Sequence, residues 1–219
     1  PVSFTNQIDL LNPVAGFTAY SDCAVDMNGD HLDDVVRIGN KGIYIDYQKT
    51  DGSFSQRFFS MLIQAPPSWS ICAGDIDNNG YNDLLFGNTT SVSFVMSDNK
   101  GNSYQEKVMP SLILSQRSTF ADIDNDGWLD GFVGNDTAQC IPFKNKGAGE
   151  MVTDTNLIHT ADRPGTYGII WTDYDNDGDI DLYISKCQGG APPGHINRTN
   201  LMYRNNGDGS YTEVGAQTG

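Results

Sequence analysis

Acidic residues stand at the first, third, fifth and ninth places of Asp173-Tyr174-Asp175-Asn176-Asp177-Gly178-Asp179-Ile180-Asp181, with glycine at the sixth. In a tightly turned loop, alternate side chains point to one side, so the first, third and fifth can converge on one point. Glycine at the sixth place allows the positive φ that reverses the chain. The seventh residue can offer its backbone carbonyl, and the ninth closes the shell with a carboxylate. All of these donors are oxygens, which suits a hard cation. Calcium takes about six to eight of them in flexible geometry.

The pattern recurs. Asp122, Asp124, Asp126, Gly127 and Asp130 repeat it in full, and Asp75, Asp77, Asn79, Gly80 and Asp83 repeat it with one amide. Asp26, Asn28, Asp30 and Asp34 repeat it with His31 at the sixth place and the glycine two places early, at Gly29. In that loop a histidine is expected to take the φ usually left to glycine. One such loop is an ordinary turn composition, since Asp, Asn and Gly are common turn residues. Four in register are not. An EF-hand starts with the same spacing but needs a bidentate Glu at the twelfth place. Here that place holds Arg37, Phe86, Val133 and Ile184.

Other chemistry is sparse. There is no G-x-S-x-G and no H-E-x-x-H, and His31, His159 and His195 fall at unlike places. Acids outside the loops, such as Asp46, Glu106, Glu150, Asp162 and Glu213, show no pairing of the kind a glycosidase uses. No catalytic residue is assigned. The 28 acidic against 13 basic residues give a net charge of −15, and half of the acids lie at proposed ligand places. Four bound Ca2+ would supply +8 and bring the net to −7. Nucleic acid is excluded as a partner for so acidic a surface. No apolar run approaches the roughly 20 residues that span a bilayer. Cys23, Cys72, Cys140 and Cys187 form no CxxC pair, which argues against zinc. Cys23 and Cys72 each lie three residues before a loop and are expected on equivalent strands.

The elements that position the loops repeat with them. Their first aspartates fall at 26, 75, 122 and 173, steps of 49, 47 and 51 residues. Each period has a leading apolar or small-residue run, the loop, and a β-type run such as Val35-Val36-Arg37-Ile38 or Leu182-Tyr183-Ile184. A third run, a turn such as Thr50-Asp51-Gly52-Ser53 or Asn206-Gly207-Asp208-Gly209, and a fourth strand follow. Asn-Gly and Asp-Gly between β runs mark hairpins. The reading is all-β: a β-propeller of four-stranded antiparallel blades, four repeats being present. The repeats cover approximately residues 12–62, 63–110, 111–158 and 159–219. Residues 1–11 are expected to form an outer strand of a preceding or closing blade, as in a segment of a larger propeller. Trp69 and Trp171 are expected between blades, and the insertion Gln188–Asn197 is a candidate recognition surface.

Asp-x-Asp-x-Asp-Gly-x-x-Asp-Leu at this period resembles the FG-GAP and VCBS repeats of integrin-α-like β-propellers. The closing segment Asn200–Val214 is similar to the blade hairpin of secreted proteins that pair such repeats with an ASPIC/UnbV domain. The phenylalanine-glycine signature occurs as Phe86-Gly87 and, altered, as Val133-Gly134. The resemblance implies Ca2+ held by the first, third, fifth and ninth side chains and by the carbonyls of Leu32, Tyr81, Trp128 and Asp179. It implies a secreted or cell-surface module for binding, adhesion or scaffolding, with a protein or glycan partner. Further blades or self-association would close the ring. The alternative is a glycan-binding lectin or a polysaccharide-acting enzyme on the same propeller.

Overall fold

The computed structural model describes residues 3, 5–14, 17–39, 41–98 and 100–218, with side chains except at 17–21, 217 and 218. Sixteen strands form four antiparallel sheets, each of four consecutive strands in chain order. Sheet one holds β1 (Phe17–Val25), β2 (Asp34–Gly39), β3 (Gly42–Gln48) and β4 (Phe54–Ser60). Sheet two holds β5 (Ile71–Gly74), β6 (Asp83–Gly87), β7 (Ser91–Ser97) and β8 (Tyr104–Pro110). Sheet three holds β9 (Ser115–Ala121), β10 (Asp130–Asn135), β11 (Ile141–Asn145) and β12 (Met151–Thr153). Sheet four holds β13 (Thr166–Thr172), β14 (Asp181–Lys186), β15 (Leu201–Asn205) and β16 (Tyr211–Glu213). A single helical turn, α1 (Gly215–Thr218), follows.

Successive side chains of a strand point to opposite faces, and here both faces of the inner strands are covered. On β6, Leu84 and Phe86 pack with Val36, Ile38, Ile43 and Ile45 of sheet one. Leu85, between them, packs with Val133 and Phe143 of sheet three. On β10, Val133 faces sheet two, while Phe132 packs with Ile169, Leu182 and Ile184 of sheet four. The sheets therefore stack in sequence like propeller blades, and they do not close into a ring among the described residues. Each fully buried Leu, Ile or Phe contributes roughly 1.5–3 kcal/mol. Most of the stability thus comes from the interfaces between blades, since a lone four-stranded sheet has nothing to bury these faces against.

The phenylalanine-glycine signature has a steric cause. A Cβ at Gly87 would lie 2.8 Å from the Ser115 side chain. One at Gly134 would lie 2.8 Å from Ile169 Cδ1 and 2.9 Å from Thr166 Cγ2. Both glycines sit near the end of an inner strand, where the next blade's first strand crosses.

Two local expectations are corrected. Ile8–Leu10, expected in an outer strand, form a 3-10 turn, because the Asn6 side chain accepts the Ile8 amide at 2.9 Å and, among the described residues, no strand pairs with the segment. Residues 1, 2 and 4 of that stretch lie outside the described residues. Trp69 stands before β5 and remains 42% exposed. Trp171 does lie between blades: it meets Phe132 and Tyr211 edge-on, and its Nε1 donates to Thr119 Oγ1 at 3.1 Å. Cys23 and Cys72 occupy β1 and β5, half-buried and free.

Candidate metal centres

Each acidic loop joins the first and second strands of its blade, and its ninth-place aspartate is the first residue of the second strand. The backbone takes a left-handed turn at two places in every loop. The sixth place has φ of 68° at His31, 89° at Gly80, 90° at Gly127 and 97° at Gly178. The fourth place has φ of 77° at Gly29, 57° at Asn78, 57° at Asn125 and 60° at Asn176. Gly29 is therefore in register, filling a place that asparagine takes elsewhere. Asparagine tolerates this region better than other side chains. His31 takes the strained φ, as its position requires.

Asp34, Asp83, Asp130 and Asp181 are fully buried. Each uses one oxygen to accept the second-place amide of its loop: Met27, Ile76, Ile123 and Tyr174, at 2.9–3.1 Å. The other oxygen accepts an amide of the third strand: Gln48, Ser97, Asn145 and Asn205, at 2.7–2.9 Å. This carboxylate pins the loop to the sheet while retaining lone pairs for a cation. The first-place aspartates Asp26, Asp75, Asp122 and Asp173 accept the fifth- and sixth-place amides. The fifth-place side chains, Asp30, Asn79, Asp126 and Asp177, accept the seventh-place amides of Leu32, Tyr81, Trp128 and Asp179.

The first, third and ninth carboxylates converge in three loops. Oxygens of Asp75, Asp77 and Asp83 lie within 4.8 Å of one another, as do those of Asp122, Asp124 and Asp130, and those of Asp173, Asp175 and Asp181. Such groups could hold a metal ion, and an all-oxygen donor set fits calcium or magnesium better than a softer metal. In loop one the third place is Asn28, whose Nδ2 donates to Asp30, and Asp26, Asp30 and Asp34 form no such group. Loop two turns the Asn79 amide nitrogen toward Asp77 and the Ser97 carbonyl. In loop three the Lys144 ammonium lies 2.6 Å from Asp124 Oδ1, 2.6 Å from Asp126 Oδ2 and 3.7 Å from Asp130 Oδ1.

The electrostatics follow the burial. Desolvation raises Asp83 to about 7 and Asp130 to about 6, against backbone hydrogen bonds that work the other way. Asp34 and Asp77 are raised for the same first reason, with repulsion from neighbouring loop acids added. Asp175 is raised by desolvation and then by Asp177, Asp181 and Asp173. Burial works against the Lys144 charge, but hydrogen bonds to Asp124 and Asp126 and the nearby Asp130 outweigh it and hold its pKa above the lysine range. Crowded, partly desolvated carboxylates are a local excess of negative charge that a divalent cation would neutralise.

Sequence reasoning missed the second place of the loop. Met27, Ile76 and Ile123 are all but fully buried, whereas Tyr174, on the last blade, is exposed. The first three are wedged beneath the following blade, which also reaches back with hydrogen bonds. Asn82 Nδ2 donates to the Asp26 carbonyl at 2.7 Å, Asn145 Nδ2 to Ile76 at 2.7 Å, and Tyr211 Oη to Ile123 at 2.8 Å. The available signal was the apolar residue inside an otherwise acidic loop.

Four stacked four-stranded sheets with an acidic loop at one corner of each define a β-propeller-like repeat protein. The FG-GAP-like repeat pattern matches residues 26–86 and 122–184, more than half of the chain, and the protein belongs to that family. No curated protein sequence matches it. Among solved structures it is similar to an Agrocybe aegerita lectin described for specific recognition of non-reducing terminal N-acetylglucosamine, with a TM-score of 0.60 at 15% identity. That alignment covers 86% of this chain and 49% of the lectin chain, so this chain spans about half of it. The Vibrio cholerae biofilm matrix protein Bap1 aligns at a TM-score of 0.45 and 18% identity, over 88% of this chain and 27% of that one. BBS1N, solved in complex with ARL6DN, aligns at 0.48 and 13% identity, over 93% and 54%.

Proposed function

We propose that the chain is a calcium-stabilised propeller module of a secreted or cell-surface protein, serving binding or scaffolding. The observation that carries this is the convergence of first, third and ninth carboxylates in three loops, with the ninth buried and tied to the sheet. Calcium would be held in loops of this kind by the side chains, with the seventh-place carbonyl completing the set. Metal binds the folded loop and not the open chain, so it stabilises by mass action. Weak sites of this kind suit the millimolar calcium outside cells. Further blades, or a second copy of the chain, would cover the outer faces of sheets one and four.

The test is thermal. Two sites filled at about tenfold their Kd contribute about 1.4 kcal/mol each, and each kcal/mol moves Tm by about 2–4 °C at this size. EDTA should therefore lower Tm by about 6–11 °C, and calcium, more than magnesium, should restore it. A melting curve indifferent to chelator refutes the proposal.

A second reading, glycan binding, is supported by Trp69, whose exposed ring can stack on a sugar, and by the fold likeness to a lectin. The loop from Gln188 offers a further surface: it is braced by Asn197 Nδ2 on Gln188 Oε1 at 2.6 Å and presents an exposed Ile196. Binding on a glycan array that Trp69→Ala abolishes would favour this reading; shortening of the glycan would favour an enzyme.

A further inference from the structure

Lys144 has no counterpart in the other blades. It directly precedes Asn145, the residue whose amide meets the ninth-place aspartate. The same place holds Tyr47 in blade one, Met96 in blade two and Arg204 in blade four, as the amides of Gln48, Ser97 and Asn205 establish. Tyr47 and Met96 carry no charge. Arg204 is exposed and turns to Asn206 Oδ1 at 3.3 Å. Lys144 alone is buried and aimed into its loop, its side chain 9% exposed.

We infer that the Lys144 ammonium is the resident cation of loop three, and that this loop takes no calcium while loops two and four do. The inference rests on the calcium reading of those loops. The ammonium binds the third- and fifth-place carboxylates, Asp124 and Asp126, and stands 3.7 Å from the ninth, Asp130. Calcium would sit about 2.3–2.6 Å from its oxygens. An ion drawing on Asp124 and Asp126 would therefore compete for the oxygens that hold the ammonium and face a positive charge at close range. Displacing Lys144 would move a largely buried side chain out of its place on β11. A loop that matches the ligand pattern in full, with four carboxylates, is thus closed by the protein itself. Its fourth carboxylate, where loop two has Asn79, offsets the lysine charge.

The inference also separates the roles of the blades. Blade three lies between sheets two and four, and its loop would stay folded in chelator. The loops on either side would loosen when calcium is withdrawn.

The test uses the intact chain. Calcium stoichiometry is measured by isothermal titration on the wild type and on Lys144→Met, and each is crystallised in calcium. The wild type is expected to show metal density in loops two and four and none in loop three. Lys144→Met is expected to bind one more calcium per chain, with new density between Asp122, Asp124 and Asp130. It should also depend more on calcium for its Tm than the wild type does. Calcium in loop three of the wild type, with the lysine swung away, overturns the inference. So does an unchanged stoichiometry in folded Lys144→Met. If Lys144→Met does not fold even in calcium, the wild-type crystal decides. Metal absent from every loop of the wild type would sink the calcium reading itself, and the inference with it.

Discussion

Asn145 Nδ2 donates to the Ile76 carbonyl at 2.7 Å, so a side chain of blade three closes over the second residue of the acidic loop in blade two. The same nitrogen reaches the Leu129 carbonyl of its own loop at 3.1 Å, while the Asn145 amide meets Asp130. One fully buried residue thus joins two loops and the sheet between them. Asn145→Leu would leave the buried Ile76 carbonyl and the part-buried Leu129 carbonyl without this donor, and an orphaned buried group costs about 1–3 kcal/mol. Urea unfolding should show a loss of about 2–4 kcal/mol, with the m-value unchanged. A loss below about 0.5 kcal/mol would mean that water replaces the amide.

Much of this was legible in the sequence, for a definite reason. The acids at 26, 75, 122 and 173 mark the period, and strand alternation around them fixes four strands per unit. The convergence of first, third and ninth carboxylates in three loops and the left-handed sixth place follow from loop spacing alone. What could not be read depends on neighbours. Gly29 looks out of place until the fourth place of every loop proves left-handed. Lys144 lies 18 residues beyond Asp126, and only the β10–β11 pairing brings it to the loop. Trp69 has the composition of a leading strand, but β5 begins two residues later.

His31 takes a φ of 68° where three other loops have glycine. A left-handed residue with a Cβ costs roughly 1–2 kcal/mol, part of which glycine returns through the entropy of the unfolded chain. His31→Gly should therefore stabilise the protein by about 0.5–1 kcal/mol, read as a rise of a few degrees in Tm. The converse change, Gly127→Ala, meets no neighbour within 4 Å but must adopt φ of 90°, and should destabilise through the backbone alone. If both variants melt with the wild type, the loop relaxes at its sixth place and strain there is negligible.

Gly134 tests the stacking of blades. A valine there would put its Cβ within 3 Å of Ile169 and Thr166, both on the first strand of sheet four. Both contacts are with side chains packed at the blade interface, the Thr166 one β-branched and stiff, so these side chains must repack or β13 must shift. Overpacking of this kind costs about 1–3 kcal/mol. Gly134→Val should lose that much in denaturant, and Trp171 fluorescence should report a disturbed interface between sheets three and four. An unaltered stability would show that the two sheets slide freely.

The raised carboxylates set the pH dependence of the calcium-free protein, and the sign is opposite to the common one. Asp83 titrates near 7 and Asp130 near 6, both above the ordinary 3.8, and Asp34 and Asp77 are also raised. The folded state therefore binds these protons more tightly than the unfolded chain does. Where the folded state holds more protons, stability falls as pH rises. In EDTA, Tm should fall between about pH 4 and pH 7, then level off above the highest of these values. Asp26, Asp51, Asp98, Asp126 and Asp208 are lowered instead, and their contribution is lost only as pH drops below 3.8. The chelated protein should thus be most stable in mild acid. Calcium needs the deprotonated carboxylates, so its stabilisation should be largest at pH 7.5 and shrink toward pH 5. Melting curves in EDTA and in calcium should converge on acidification. A Tm in EDTA that climbs steadily from pH 5 to pH 7.5 would contradict the desolvation of Asp83 and Asp130 as the dominant effect on their carboxyls.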